Sequence, residues 1–187
     1  MVGIGASAGG VEALKQMLEG FTLDSAAFVI VMHLPRGHRT QLAEVLRRYT
    51  MLDVDIAASG TQLKPNHIYV VPESENVAIR DGRLMFEGHG RTPRGLLRNI
   101  DYFLTALAQE YGKRSVGVVL SGANIDGTAG LAAIRSAGGR TFVQSTETAL
   151  FANMPANAAV SADHQLDPGA IGRTLMHFIR GENTLET

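Results

Sequence analysis

The chain of 187 residues has the length of one compact domain, and 45% hydrophobic against 19% charged residues is a globular composition rather than a disordered one. A formal net charge of -1 gives no overall field that would recruit nucleic acid or an anionic membrane surface. The absence of cysteine excludes disulfides, thiolate nucleophiles and cysteine-ligated metal sites.

No apolar run approaches the roughly 20 residues of a membrane-spanning helix, and the amino terminus does not resemble a secretory signal. We therefore expect a single domain over residues 1–187 that works in a reducing cytoplasm without inserting into a membrane. The first residues already resemble a core strand. This abrupt start suggests a domain cut from a longer protein.

Strand-like apolar runs alternate with amphipathic helical patterns along the chain. In chain order, the predicted elements are strand 1–5, a helical stripe over 11–18, strand 27–32, a helical face over 42–49, short strands around 54, 68–71, 77–79 and 84–86, helix 100–111, strand 116–120, helix 127–137, strand 141–143 and helix 170–179. Residues 34–37 read as a turn, 88–95 as a loop, and Asp81-Gly82 as a hairpin turn. The alternation predicts an α/β fold with a doubly wound, mostly parallel sheet and a small antiparallel hairpin region.

The first candidate reactive group is Ser7, which lies in a glycine-rich turn between the first predicted strand and the first helix. In parallel sheets, reactive groups collect where strands end and helices begin. A serine at this junction would expose its hydroxyl at a helix amino terminus. The free N–H groups there, those of Ala8 and Gly9, could bind the oxyanion that forms when a carbonyl is attacked.

The same turn has an alternative interpretation as a dinucleotide-binding loop. Gly3, Gly5 and Ala8 fit the G-x-G-x-x-A form of that fingerprint. Such sites need an acidic residue at the end of the second strand to hold a ribose, and here that strand ends in Met32-His33. The nucleotide hypothesis is therefore the weaker one.

Two further side chains follow predicted strands and could complete a catalytic set with Ser7. His33 follows the second strand, and a neutral imidazole is the usual base for a serine hydroxyl. Asp126 lies between strand 116–120 and the next helix, where it could hold the imidazole in one tautomer. Each also has a structural interpretation: a lone histidine often only donates to a nearby carbonyl, and an aspartate before a helix is a favoured N-cap.

Neither a metal nor a cofactor is predicted. The other histidines are His38, His67, His89, His164 and His177. No pair of them has zinc-ligand spacing with a third ligand nearby.

Several ordered motifs carry a family resemblance through almost the whole chain. They are GIGASAGGVEAL around Ser7, FVIVMHLPRGH around His33, IYVVP at 68–72, GVVLSGANIDGTAGL around Asp126 and MP at 154–155. Together they resemble the catalytic domain of the bacterial chemotaxis protein-glutamate methylesterases, the CheB family. GASAGG combined with RGLLRNIDYF looks most like the members fused to a receptor methyltransferase.

The resemblance implies a three-layer α/β/α fold and a serine hydrolase. Such an enzyme demethylates glutamyl methyl esters on the cytoplasmic helices of chemoreceptors and releases methanol, and some members also deamidate receptor glutamines. Ser7, His33 and Asp126 would be the nucleophile, the base and the orienting acid. The implied partners are methylated receptor helices and, in the parent protein, a fused methyltransferase or regulatory domain.

The chain departs from the family at the turn before Asp126. Where the family usually has a segment such as GTGSDG or GMGNDG, this chain has Ala123-Asn124-Ile125 between Gly122 and Asp126. Residues 161–165 also differ from the usual GLVD-like run. The bulkier turn motivates a second hypothesis, a receptor-binding or partner-binding module that keeps the fold with little or no turnover.

Overall fold

In the computed structural model, residues 1–33, 39–72, 75–89 and 98–181 are described. The strands are β1 (Val2–Ala6), β2 (Phe28–Met32), β3 (Asp53–Ile56), β4 (His67–Val70), β5 (Glu75–Arg80), β6 (Arg83–His89), β7 (Val116–Val119), β8 (Arg140–Gln144) and β9 (His164–Leu166). The α-helices are α1 (Gly10–Leu18), α2 (Arg39–Leu46), α3 (Asn99–Tyr111), α4 (Thr128–Ser136), α5 (Asn153–Ala158) and α6 (Pro168–Ile179). None of these described helices is long and apolar enough to cross a membrane.

Seven strands form one sheet in the order β3-β4-β2-β1-β7-β8-β9, and each neighbouring pair in it is parallel. The chain therefore winds outward in both directions from β1, as in other doubly wound sheets. β5 and β6 form a separate antiparallel hairpin. Its turn residues Asp81 and Gly82 have φ of 49° and 70°, the left-handed values that a tight hairpin turn requires. The predicted parallel sheet and hairpin are confirmed.

The alternation of side chains along the central strands produces two cores, one on each face of the sheet. Val2 and Ile4 of β1 pack in the same cluster as Leu14 and Met17 of α1, together with residues of α2 and α6. The opposite face packs against α3, α4, α5 and the hairpin. Burying an aliphatic side chain of this size stabilises the fold by about 1.5–3 kcal/mol. Helices on both faces of the sheet give the three-layer α/β/α architecture.

Gly3 and Gly5 bring the helical layer close to the sheet. A Cβ on Gly3 would lie 2.7 Å from Leu104 Cδ2, and one on Gly5 would overlap Ile100. Both glycines lie inside β1, under α3, rather than in the turn that follows. Their spacing therefore reflects the packing of a helix against a strand, which removes the main support for the dinucleotide hypothesis.

Among the described strands and α-helices, two were not predicted, and both are short. The six residues of α5 include Pro155 and form no periodic apolar stripe, although Met154 and Ala158 are fully buried. β9 has only three residues, all at least partly exposed, and is held by pairing with β8. The predicted turn at 34–37 and the predicted loop beyond residue 89 lie outside the described residues, whereas Gly88 and His89 end β6.

Candidate active site

The three predicted catalytic residues lie at the carboxyl ends of three neighbouring strands. Ser7 follows β1, His33 follows β2, and Asp126 lies in the loop after β7. Ala6 pairs in register with Met32, and the His33 N–H donates to Ala6 O at 3.2 Å. Ser7 and His33 are thus the next residues along two adjacent strands. This edge, between β1 and β7, is also where open α/β sheets bind their ligands.

His33 and Asp126 are hydrogen-bonded to each other. His33 Nε2 lies 2.9 Å from Asp126 Oδ2, and the two side chains are 9% and 0% exposed. A buried carboxylate on one ring nitrogen fixes the orientation of an imidazole and stabilises the imidazolium that forms when the ring takes a proton. With Asp126 holding its ring, His33 can therefore act as a base.

Asp126 also holds the start of α3. Its Oδ2 accepts from Ile100 N–H at 3.1 Å, and its Oδ1 accepts from Asp101 N–H at 2.8 Å and Gly127 N–H at 3.0 Å. The interpretation of Asp126 as N-cap of the helix that follows it is wrong, because Gly127, with φ of 95°, is the N-cap of α4. Asp126 instead caps α3, whose first N–H groups have no partner within the helix.

Asp101 makes the reciprocal contact, from α3 to the start of α4. Its Oδ1 accepts from Gly130 N–H in the first turn of α4 at 2.9 Å, and its Oδ2 accepts from Arg98 at 2.9 Å. Burial raises the pKa of the Asp101 carboxyl above its ordinary value, and the nearby Asp126 carboxylate adds to the rise. The first turns of α3 and α4 are thus bound to each other through the carboxylates of Asp126 and Asp101.

Asn124 occupies the second ring nitrogen of His33. Its Nδ2 lies 3.1 Å from His33 Nδ1, and its Oδ1 accepts from Asp126 N–H at 2.9 Å. With Asp126 on Nε2 and Asn124 on Nδ1, both nitrogens have partners. Among the side-chain contacts of the described residues there is accordingly no hydrogen bond between Ser7 Oγ and His33.

The turn that carries Ser7 is hydrogen-bonded to the loop after β7. Ser7 N–H donates to Ser121 O at 3.0 Å, and the buried Ser121 hydroxyl donates to Ala8 O at 2.8 Å. Gly9 is the left-handed N-cap of α1, with φ of 75°. Within the described part of the chain, the N–H groups of Ala8 and Gly9 donate to no acceptor, which leaves them free for the predicted oxyanion role.

Exposed apolar side chains lie beside this turn. Leu150 is 76% exposed, and its Cβ would lie 2.9 Å from a Cβ placed on Gly9. Phe151 is bound through its backbone to Ser121 and Gly122, and Ile125 directly precedes Asp126. We call Ile125, Leu150 and Phe151 the apolar rim.

A large cleft lies apart from the three predicted catalytic residues. A cleft of about 660 Å³ between the β5–β6 hairpin and α3 is lined by residues that include Arg80, Tyr102 and Asp101, but by none of Ser7, His33 and Asp126. No group of three or more His, Asp or Glu side chains within the described ranges could hold a metal ion.

Sequence reasoning missed three residues that shape this site, namely Ser121, Asn124 and Asp101. Ser121 and Asp101 act through hydrogen bonds to backbone groups that are distant in the chain, for which no local pattern exists. Asn124 did carry a signal, because it lies in the turn that departs from the family motif.

Comparison with known proteins gives a consistent result. The family described as CheB methylesterase matches residues 2–175. The protein-glutamate methylesterase/protein-glutamine glutaminase of Gluconobacter oxydans is 34% identical over 195 residues, covering 100% of this chain and 55% of that protein. Protein-glutamate methylesterase/protein-glutamine glutaminase 2 of Syntrophomonas wolfei is 32% identical over 184 residues, covering 96% of this chain and 54% of that protein. The chain spans about half the length of these relatives.

The fold is similar as well. The crystal structure of the Thermotoga maritima CheB methylesterase catalytic domain has a TM-score of 0.87 to this chain at 26% identity, covering 95% of this chain and 97% of that one. By sequence over nearly its whole length, the chain belongs to the CheB methylesterase family.

Proposed function

We propose that this chain is a serine hydrolase that removes methyl groups from glutamyl methyl esters of chemoreceptors, with Ser7 as nucleophile, His33 as base and Asp126 as orienting acid. The observation that carries the proposal is the convergence of Ser7 and the His33–Asp126 pair at the carboxyl ends of adjacent strands. The names of the relatives, protein-glutamate methylesterase/protein-glutamine glutaminase, support the substrate class.

In the proposed reaction, Ser7 Oγ attacks the ester carbonyl while His33 takes the hydroxyl proton. The N–H groups of Ala8 and Gly9 stabilise the tetrahedral oxyanion. The intermediate collapses as His33 returns the proton to the leaving methoxide, which departs as methanol and leaves an ester between Ser7 and the glutamyl side chain. A water then attacks this ester with His33 again as base, and the receptor carboxylate and free Ser7 are restored. With a glutamine substrate, the same steps would release ammonia.

A specific observation favours a second candidate, the binding module. His33 has both ring nitrogens occupied, and Asn124 lies where the family motif has glycine. A domain held in this arrangement would dock to a partner without turning it over.

The test is methanol release from methylated receptor membranes, comparing the domain with its Ser7→Ala and His33→Ala variants. We expect each variant to lose most activity and the double variant to lose little more, because nucleophile and base act as a unit. Labelling of Ser7 by a fluorophosphonate, read by mass spectrometry, reports the nucleophile without any receptor. Full activity of folded Ser7→Ala would end the esterase proposal, and an unlabelled, inactive domain would favour the binding module.

The setting of the reaction is also part of the proposal. Receptor signalling helices lie in the cytoplasm, so we place the chain there, with methylated receptor helices as its partner. In the parent protein, a fused methyltransferase or a regulatory domain would bring the catalytic domain to them.

A further inference from the structure

We propose that Asn124 is a positioning residue that fixes the tautomer of His33 and occupies the ring nitrogen to which the Ser7 proton must go. The inference rests on the proposed esterase function for its kinetic consequence. Its geometric part stands separately and can be tested without substrate.

The orientation of the Asn124 amide follows from its other contact. Its Oδ1 accepts from the Asp126 N–H at 2.9 Å, and a backbone N–H can only donate. The NH₂ group must therefore be the end that lies 3.1 Å from His33 Nδ1. An amide NH₂ also only donates, so Nδ1 carries no proton and acts as acceptor.

The proton of the neutral ring must then lie on Nε2, where Asp126 Oδ2 accepts it at 2.9 Å. Asp126 and Asn124 thus require the same tautomer from opposite sides of the ring. Because Asp126 is fixed by the first N–H groups of α3, its hold on Nε2 is the less easily released of the two.

With Asp126 on Nε2, the nitrogen left to act as base is Nδ1, and Asn124 donates to it. Ser7 can give up its proton only after the amide has turned away. Asn124 therefore competes with the nucleophile for Nδ1.

The geometric part is tested by ¹⁵N NMR of the His33 ring. We expect the wild-type domain to show a protonated Nε2 and an unprotonated, hydrogen-bonded Nδ1. Asn124→Asp has the same shape and keeps the acceptor for Asp126 N–H, but it presents a carboxylate to Nδ1, so both ring nitrogens should be protonated. A proton on Nδ1 in the neutral wild-type ring would overturn the inference.

The kinetic part is tested by turnover of methylated receptor. Asn124→Ala should raise kcat about fivefold and leave KM unchanged. In this variant the hydrogen bond to Nδ1 no longer has to break in each cycle, and about fivefold is the rate factor that corresponds to one ordinary net hydrogen bond. Asn124→Asp should lower kcat at least about tenfold, because an imidazolium cannot act as base. Asn157→Ala is the control, since Asn157 is exposed and its amide bonds only Asn153 O on α5.

An unchanged or lower kcat in folded Asn124→Ala would overturn the competition. If the wild-type domain releases no methanol, the esterase proposal fails by itself, and the ring spectra still decide the role of Asn124.

Discussion

At the scale of single residues, Asp126 has two tasks that share one carboxylate. It binds Nε2 of His33 and also accepts the first N–H groups of α3. The helix start in turn holds the carboxylate in place, because N–H groups and a helix dipole both favour a negative charge there. The proposed catalytic geometry is therefore part of the fold.

Replacing Asp126 should cost stability as well as activity. Asp126→Ala leaves three backbone N–H groups in a buried region without their acceptor, so we expect the free energy of unfolding to fall by about 2–4 kcal/mol. Urea denaturation measures this change. Asp167→Ala is the matched control, because Asp167 caps α6 through one exposed bond to Ala170 N–H. It should lose about 1 kcal/mol and keep full activity. Equal losses for the two variants would contradict the shared role of Asp126.

At the scale of elements, α3 and α4 depend on each other for their caps. Asp126, just before α4, caps α3, while Asp101 of α3 accepts from Gly130 of α4. Neither helix can shift at its amino terminus without breaking a bond of the other. Since His33 is bound to the Asp126 carboxylate, movement of this helix pair would also move the proposed base.

Asp101 should make the stability of the α3–α4 pair depend on pH. Its folded pKa is raised above the ordinary value of 3.8, so the folded state binds the proton more tightly than the unfolded state. The contribution of Asp101 to stability is then fully present below pH 3.8 and is lost as pH rises through the raised value. We expect the stability of the wild type relative to Asp101→Asn to fall with rising pH across that window, measured by urea denaturation at successive pH values. A relative stability that rises with pH would contradict the assignment.

Gly122 lies between α5 and Ser7. A Cβ there would overlap the Met154 side chain of α5 and lie 3.0 Å from Ser7 Cβ. Gly122→Ala should therefore destabilise the fold by about 1–3 kcal/mol through overpacking and should reduce turnover by displacing Ser7. The control is Gly169→Ala in the first turn of α6, where the nearest atom is the mobile end of Arg173 at 3.3 Å. That variant should be as stable as the wild type or more so, and active; thermal unfolding and methanol release measure both.

At the scale of the whole molecule, the parallel sheet gathers the reactive groups on one edge and places the apolar rim beside them. Exposed apolar side chains that lie together are typical of a surface that binds a protein. Leu150 and Val160 are similarly exposed, at 76% and 78%. Val160 accepts from Arg135 near the end of α4, which puts it at the opposite, amino edge of the sheet.

Because Leu150 and Val160 are similarly exposed but lie at opposite edges of the sheet, their Glu variants form a matched pair. Leu150→Glu should raise KM for methylated receptor several-fold and leave hydrolysis of a small ester, p-nitrophenyl acetate, unchanged, because only the large substrate extends over the rim. Val160→Glu should affect neither reaction. Loss of small-ester hydrolysis in Leu150→Glu would mean that the residue supports Ser7 rather than the substrate.

The sequence by itself determined the order and type of the long elements. Each of them buries a face against the core, and this burial appears in its own residues as a helical apolar period or a β-branched run. It also indicated Ser7, His33 and Asp126, since each follows a strand in a parallel sheet and parallel strands end at one edge. It did not predict α5 or β9, which are stabilised by tertiary contacts rather than by a local pattern.

Only the tertiary structure decided which helix Asp126 caps, which nitrogen of His33 faces it, and that Asn124 lies on the other nitrogen. A cap can come from any loop that reaches the helix start, and the tautomer of a histidine depends on both neighbours of its ring. These contacts join residues 93, 91 and 26 positions apart, so the packing of α3 and α4 on the sheet, and no local pattern, brings them together.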